Sequence, residues 1–144
     1  MIQRIQTVYL LIATLLSGGL IFVLNLWINE EETKFFAMDS FSTENTLLKA
    51  MTVLFFVSAI ITFIAIFQFK KRQLQFVLGR LSILTNFILI GIVVYFSQNL
   101  SGEINVSEKG IGLLIPILTI VFVVIANKAI KKDEELVKSV DRLR

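Results

Sequence analysis

The sequence predicts an all-α, polytopic membrane protein: a four-transmembrane-helix bundle with a short cytoplasmic C-terminal helical tail. Three observations predict it. Four stretches carry no charged residue: Ile5–Asn29, Ala50–Phe69, Leu81–Gly102 and Gly110–Asn127, of 25, 20, 22 and 18 residues. A helix needs about 20 apolar residues to cross about 30 Å of hydrocarbon. These stretches hold 85 of the 144 residues and raise the mean hydropathy to +0.81. The third observation is the placement of Lys and Arg. If the spans alternate in direction, eleven of the fourteen fall on one side: Arg4, then Lys70, Lys71, Arg72 and Arg80, then the six from Lys128 to Arg144. Only Lys34, Lys49 and Lys109 fall on the other. With the acids counted, the two sides carry 11 − 4 = +7 and 3 − 7 = −4, which sum to the chain's +3. An excess of basic residues marks the cytoplasmic side, so both termini and the connection between the second and third spans are expected there. The whole chain, 1–144, reads as one transmembrane domain with spans near 5–29, 50–69, 75–101 and 110–127, and a tail over 128–144.

The first span carries Ala13, Thr14, Ser17, Gly18 and Gly19 along its middle. Ala13/Ser17 and Thr14/Gly18 are small residues four apart, a spacing that lets helix backbones approach closely in lipid. They mark either packing inside this bundle or a contact with another chain. Trp27 and Tyr9 fit anchors at the two interfaces. The stretch is too long for the apolar region of a secretory signal and lacks a small-residue cleavage site, so it is expected to stay uncleaved. The first outer loop combines the acidic Glu30-Glu31-Glu32 with Phe35, Phe36 and Phe41, which are expected to cap the bundle or dip into the interface. Three consecutive acids lack the spaced ligands of a calcium loop and read as a solvated run.

The second span is almost uniformly Ile, Phe, Val and Leu, relieved by Thr52, Ser58 and Thr62, and ends at Lys70-Lys71-Arg72. The third helix is expected to start near Gln73 in a tight hairpin. Arg80 then lies two turns in, either snorkelling to the headgroups or turned inward to pair with an acidic group or a lipid phosphate. Asn86 is the notable residue of this span, with Gly91 beyond it. An amide in hydrocarbon seeks a cross-helix hydrogen bond, so Asn86 is expected to join helices. The fourth span holds Pro116, the one proline of the chain, where a kink is expected because its ring crowds the carbonyl of Gly112. In the tail, Lys131/Glu135 and Glu134/Lys138 are opposite charges four apart on a helix. Leu136, Val137, Val140 and Leu143 fall on one side of that helix.

The composition excludes several kinds of chemistry. The chain has no cysteine and no histidine. That removes thiol–disulfide exchange, thiolate metal sites, bis-histidine haem and any Ser/His or Cys/His nucleophile pair. No carboxylate or base lies inside the four uncharged stretches, where proton relays and ion-coupled transport place them. Neither an enzyme nor a cofactor is expected. The basic pI of about 9.3 reflects the cytoplasmic face and its attraction to anionic lipid rather than nucleic acid.

The ends of the chain, Met1-Ile-Gln-Arg-Ile-Gln-Thr-Val-Tyr-Leu-Leu11 and Asn127-Lys-Ala-Ile-Lys-Lys-Asp-Glu-Glu-Leu-Val-Lys-Ser-Val-Asp-Arg-Leu-Arg144, are distinctive. They resemble those of a family of small four-span inner-membrane proteins from Bacteroidota, a domain of unknown function. The resemblance implies a bacterial inner membrane, four spans and a cytoplasmic face with a particular task. Two functional readings follow. In the first, the chain is an accessory subunit docked on a larger inner-membrane complex, in contact with lipid and partner. Helix packing then involves Ala13, Ser17, Gly18, Asn86, Gly91 and Pro116. The face toward lipid or partner carries Arg4, Lys70, Lys71, Arg72, Arg80, Lys131, Lys132, Leu136, Val140 and Leu143. In the second, a homo-oligomer forms a conduit or carrier for a small solute or lipid around Asn86, Gly91 and Pro116.

Overall fold

The computed structural model describes residues 2–29, 34–103, 106–109 and 111–143. Its frame is four α-helices: α1 (Ile2–Gly18), α2 (Thr46–Phe67), α3 (Arg72–Glu103) and α4 (Ile115–Arg142). They run up and down in a ring in which α1 and α3 each pack on both α2 and α4. Three segments, Ile5–Phe22, Thr46–Phe67 and Arg72–Phe96, are long and apolar enough to cross a membrane.

The outside of the bundle is apolar, and its interior mixes apolar with polar side chains. Leu15, Val23, Ile60, Phe63, Leu84, Phe87 and Ile117 stand exposed on the outside. Ser17, Thr52, Ser58, Thr62, Ser82, Asn86 and Thr119 are buried inside. An exposed apolar surface of this extent needs an apolar surrounding. The larger core cluster, with Leu16, Ile21, Met51, Phe55, Leu89 and Ile115, fills the half away from the termini. Leu10, Ala65 and Ala126 form a smaller layer nearer the termini.

Several expectations change at the end far from the termini. The first uncharged stretch is not helical to Asn29. α1 stops at Gly18, a 3-10 turn covers Leu20–Phe22, and Trp27–Asn29 becomes strand β1. Gly18 and Gly19 weaken a helix by about 1 kcal/mol each relative to alanine. The chain beyond finds other backbone partners. β1 lies between β2 (Lys34–Phe35) and β3 (Val106–Lys109), antiparallel to both, with Trp27 opposite Phe35 and Lys109. The sheet and a 3-10 turn over Ala37–Ser42 close this end of the bundle. The Ser40 and Thr52 hydroxyls meet at 2.5 Å, which ties that turn to α2. Phe35 packs against the main core, whereas Phe41 is exposed. The Glu30-Glu31-Glu32 run and the side chains of Arg4 and Trp27 lie outside the described residues.

Pro116 does not kink a helix. A 3-10 turn spans Ile111–Leu114 and α4 begins at Ile115, so proline occupies the first helical turn, where its missing N–H removes no bond. The later start also shortens the apolar part of α4. Ile115–Asn127 is 13 residues, about 20 Å of helix, before Lys128. The Gly112 N–H donates to the carbonyl of Asn25 at 3.0 Å, joining the start of α4 to the end of the first segment.

Candidate functional site

Two features stand out: a ladder of polar side chains inside the ring, and the exposed end of α4. The ladder begins in the middle of the bundle. The Thr14 hydroxyl of α1 donates to that of Thr62 on α2 at 2.9 Å. Asn86 of α3 donates through Nδ2 to Ser58 Oγ on α2 at 2.6 Å and to its own helix at the carbonyl of Ser82, 2.8 Å. Asn86 is fully buried and bridges two helices as an amide in an apolar setting should. Asn86→Leu is expected to leave the helices formed but destabilise the bundle by about 1 kcal/mol, measured by unfolding in mixed detergent. A neutral result would show that the bridge contributes nothing.

Nearer the termini the ladder is denser. Gln75 of α3 donates through Nε2 to the carbonyl of Ala65 on α2, at 3.0 Å. Gly79 lies directly against Asn127 of α4: a Cβ there would stand 2.7 Å from the Asn127 Cγ. Arg72 Nε sits 3.4 Å from Asp133 Oδ2, linking the first residue of α3 to α4. The distance is that of an ion pair, but its geometry is not that of a hydrogen bond, and Oδ2 has no hydrogen-bond donor. Gln6 Nε2, Gln75 Oε1, Asn86 Oδ1 and Asn127 Oδ1 are likewise buried without a partner among the described residues. Four of these five atoms, on α1, α3 and α4, lie in the half nearer the termini.

The remaining candidates fall as follows. Ala13 and Ser17 are fully buried, and the Ser17 hydroxyl bonds back to the carbonyl of Ala13 at 2.9 Å. Gly18 faces α2, where an added Cβ would stand 3.0 Å from that of Ala59. Pro116 is buried at the start of α4. Gly91 does not pack against a helix of this chain. It is exposed, with nothing within 4 Å of where its Cβ would be, in an apolar groove of about 340 Å³ with Leu47, Ile88, Ile92 and Tyr95. Arg72 turns to Asp133 rather than to the outside. Arg80 does not face inward; it is exposed, with its guanidinium 4.4 Å from the centre of the Phe76 ring. Lys70, Lys71, Lys131 and Lys132 are exposed.

Beyond Asp133, α4 continues as a solvent-facing arm. Leu136, Val137, Val140 and Leu143 are all exposed. Lys138 pairs with Glu134 at 3.0 Å, while the Lys131–Glu135 pair does not form among the described residues.

Asp133, Gly79, Asn127, Gln75 and Gln6 were not legible as a group in the sequence. Only Asp133 has a clear signal. It continues the buried row Thr119, Val123, Ala126 and Ile130 at alternating spacings of four and three. Chemically, the ladder holds helices together. Among the described residues no three His, Cys, Asp or Glu side chains gather as metal ligands. No curated protein and no solved structure matches the chain. A family model does, over residues 2–143. The polar ladder and the projecting tail therefore belong to a member of the DUF4293 family, a domain of unknown function.

Proposed function

We propose that this chain is a non-enzymatic accessory subunit of a larger bacterial inner-membrane complex. In this reading it crosses the membrane four times with both termini in the cytoplasm. The observation that carries it is the tail. α4 runs unbroken to Arg142, about 22 Å past Asn127 at 1.5 Å per residue. The Arg72–Asp133 pair ties its base to the bundle, and the apolar side chains of the arm beyond it are exposed. An exposed stripe of Leu136, Val140 and Leu143 beside basic residues is a surface for a partner helix or for the membrane face.

The fourth span is supported by position. α4 is flanked by α1 and α3, and its outward residues Ile117, Leu118, Val121 and Val124 are apolar like theirs. Lys128, Lys131 and Lys132 can snorkel to extend its short apolar part. The eleven-to-three division of Lys and Arg supports the orientation. The conduit reading has less behind it. Its proposed centre is dispersed: Asn86 is buried, Gly91 faces outward and Pro116 sits at a helix start. Phe55, Met51 and Leu89, all fully buried, fill the bundle between them.

Because the chain has no cysteine, Val140→Cys introduces a single thiol. In intact cells this thiol should resist an impermeant maleimide and react after permeabilisation. A bifunctional reagent should cross-link it to one larger membrane protein. Deleting Leu136–Arg144 should preserve insertion while abolishing the assembly on a native gel. Labelling in intact cells would sink the orientation, and full assembly without the tail would sink its docking role.

A further inference from the structure

We propose that the turn between α2 and α3 binds one anionic phospholipid. Its phosphate is held between Lys71 and Arg80, and an acyl chain lies along the outer face of α3. This rests on the reading of the chain as a membrane protein and adds to it a defined lipid and a defined site.

A groove of about 530 Å³ opens at this turn, lined by Lys71, Arg72, Gln73, Leu74 and Val77. It is cationic at the lip nearer the termini and apolar along its wall, where Leu74 and Val77 stand exposed. A phospholipid lying parallel to α3 has the same order of charge and apolar surface. Gln73, Val77 and Arg80 are spaced i, i+4 and i+7, so Arg80 stands on the groove's own face at the next turn.

Arg80 needs an anion. It lies eight residues, about 12 Å, beyond the start of α3, in a segment apolar enough to cross a membrane. An outward guanidinium at that depth is costly in hydrocarbon unless it is paired or reaches the interface. The Phe76 ring under it supplies only part of that compensation. Asp133, the buried carboxylate at this end, is already taken by Arg72. Among the described residues neither Lys71 nor Arg80 makes an ion pair. A phosphate placed between the Lys71 ammonium and the Arg80 guanidinium satisfies both.

The wall decides which phosphate. Beyond Arg80 the exposed face of α3 continues as Leu81, Leu84 and Ile88. A free phosphate would leave that track uncovered, whereas an acyl chain covers it. The groove lining contains no carboxylate to receive the ammonium of a zwitterionic headgroup. Charge and shape together select an anionic lipid.

The test uses the full-length protein purified in detergent. Native mass spectrometry compares phosphatidylglycerol and phosphatidylcholine of identical chains, offered at equal mole fraction. One phosphatidylglycerol should be retained in preference. Lys71→Gln and Arg80→Gln should each weaken that retention about fivefold, the effect of one basic residue at an anionic surface. Both side chains are exposed, so the bundle should keep its helical circular dichroism. Lys138→Gln, on the tail, should change nothing. Equal retention of the two lipids would overturn the site, as would indifference to both substitutions. Displacement of the lipid by glycerol phosphate would also overturn it, by showing a small-anion site instead. Recovery of the chain from the aqueous fraction without detergent would refute membrane residence itself, a failure distinct from these.

Discussion

Arg72→Ala is expected to destabilise the bundle by about 2–3 kcal/mol, more than Asp133→Asn does. Removing one partner of a buried ion pair leaves the other charge uncompensated, at about 3–5 kcal/mol when the pair is fully enclosed. Here the Asp133 side chain is 11% exposed and that of Arg72 25%, so solvent relieves part of the penalty. Asp133→Asn instead leaves a guanidinium that reaches water or headgroups with little rearrangement. The double variant Arg72→Leu/Asp133→Leu should lie close to the native protein, because an apolar pair avoids desolvation altogether. Unfolding in mixed micelles, titrated with a denaturing detergent, gives the three values. Equal small losses in all three would mean that the pair is an ordinary surface contact and does not fasten the tail.

Gly79→Val should be comparably severe, at about 2–3 kcal/mol, because it overfills a packed contact. An added Cβ collides with the Asn127 amide, 2.7 Å from both its Cγ and its Nδ2. Asn127 is itself buried and cannot swing out without vacating the α3–α4 seam. The second substitution Asn127→Ala should restore much of the loss. Two residues in direct contact are expected to be coupled rather than additive. If Gly79→Val were harmless, or if Asn127→Ala gave no recovery, the close approach of α3 and α4 would not depend on this pair. By contrast, the exposed Gly91 has open space in place of a Cβ, so a methyl group there meets no part of this chain.

The contrast between these two glycines shows where a sequence reading loses its hold. Both lie on α3, and the sequence marks Gly91 as the one to pack. Gly79 does so because its face meets Asn127 across the seam. In a water-soluble bundle the polar face of a helix shows which residues turn outward. α2 lacks that cue, since Ile60, Phe63 and Ile64 point outward while Phe55 and Met51 point inward. Lipid and core are equally apolar, so hydropathy cannot tell the two faces apart.

Hydropathy and charge do determine other properties. The four uncharged stretches establish that the chain is helical and apolar in long segments, and three of those helices are sufficient to cross a bilayer. Asn86 announced itself, because an amide in such a segment needs a partner wherever the helix turns. Interior rotation and termination were decided by tertiary contacts alone. Trp27–Asn29 is a strand because the nearby residues 34–35 and the remote residues 106–109 offer it hydrogen bonds that continuing α1 would forgo. Pro116 falls in the first turn of α4 because the preceding 3-10 turn, with Gly112 tied to Asn25, delays the helix to Ile115. Asp133 lies in the charged run Lys131–Glu135, where its spacing from Ile130 marks it for the buried face but no partner is legible. The approach of Arg72 from another helix makes it the base of the tail. Length, apolarity and charge are properties of a segment and can be read along the chain. The direction a small polar residue faces is a property of two segments together, and only their packing decides it.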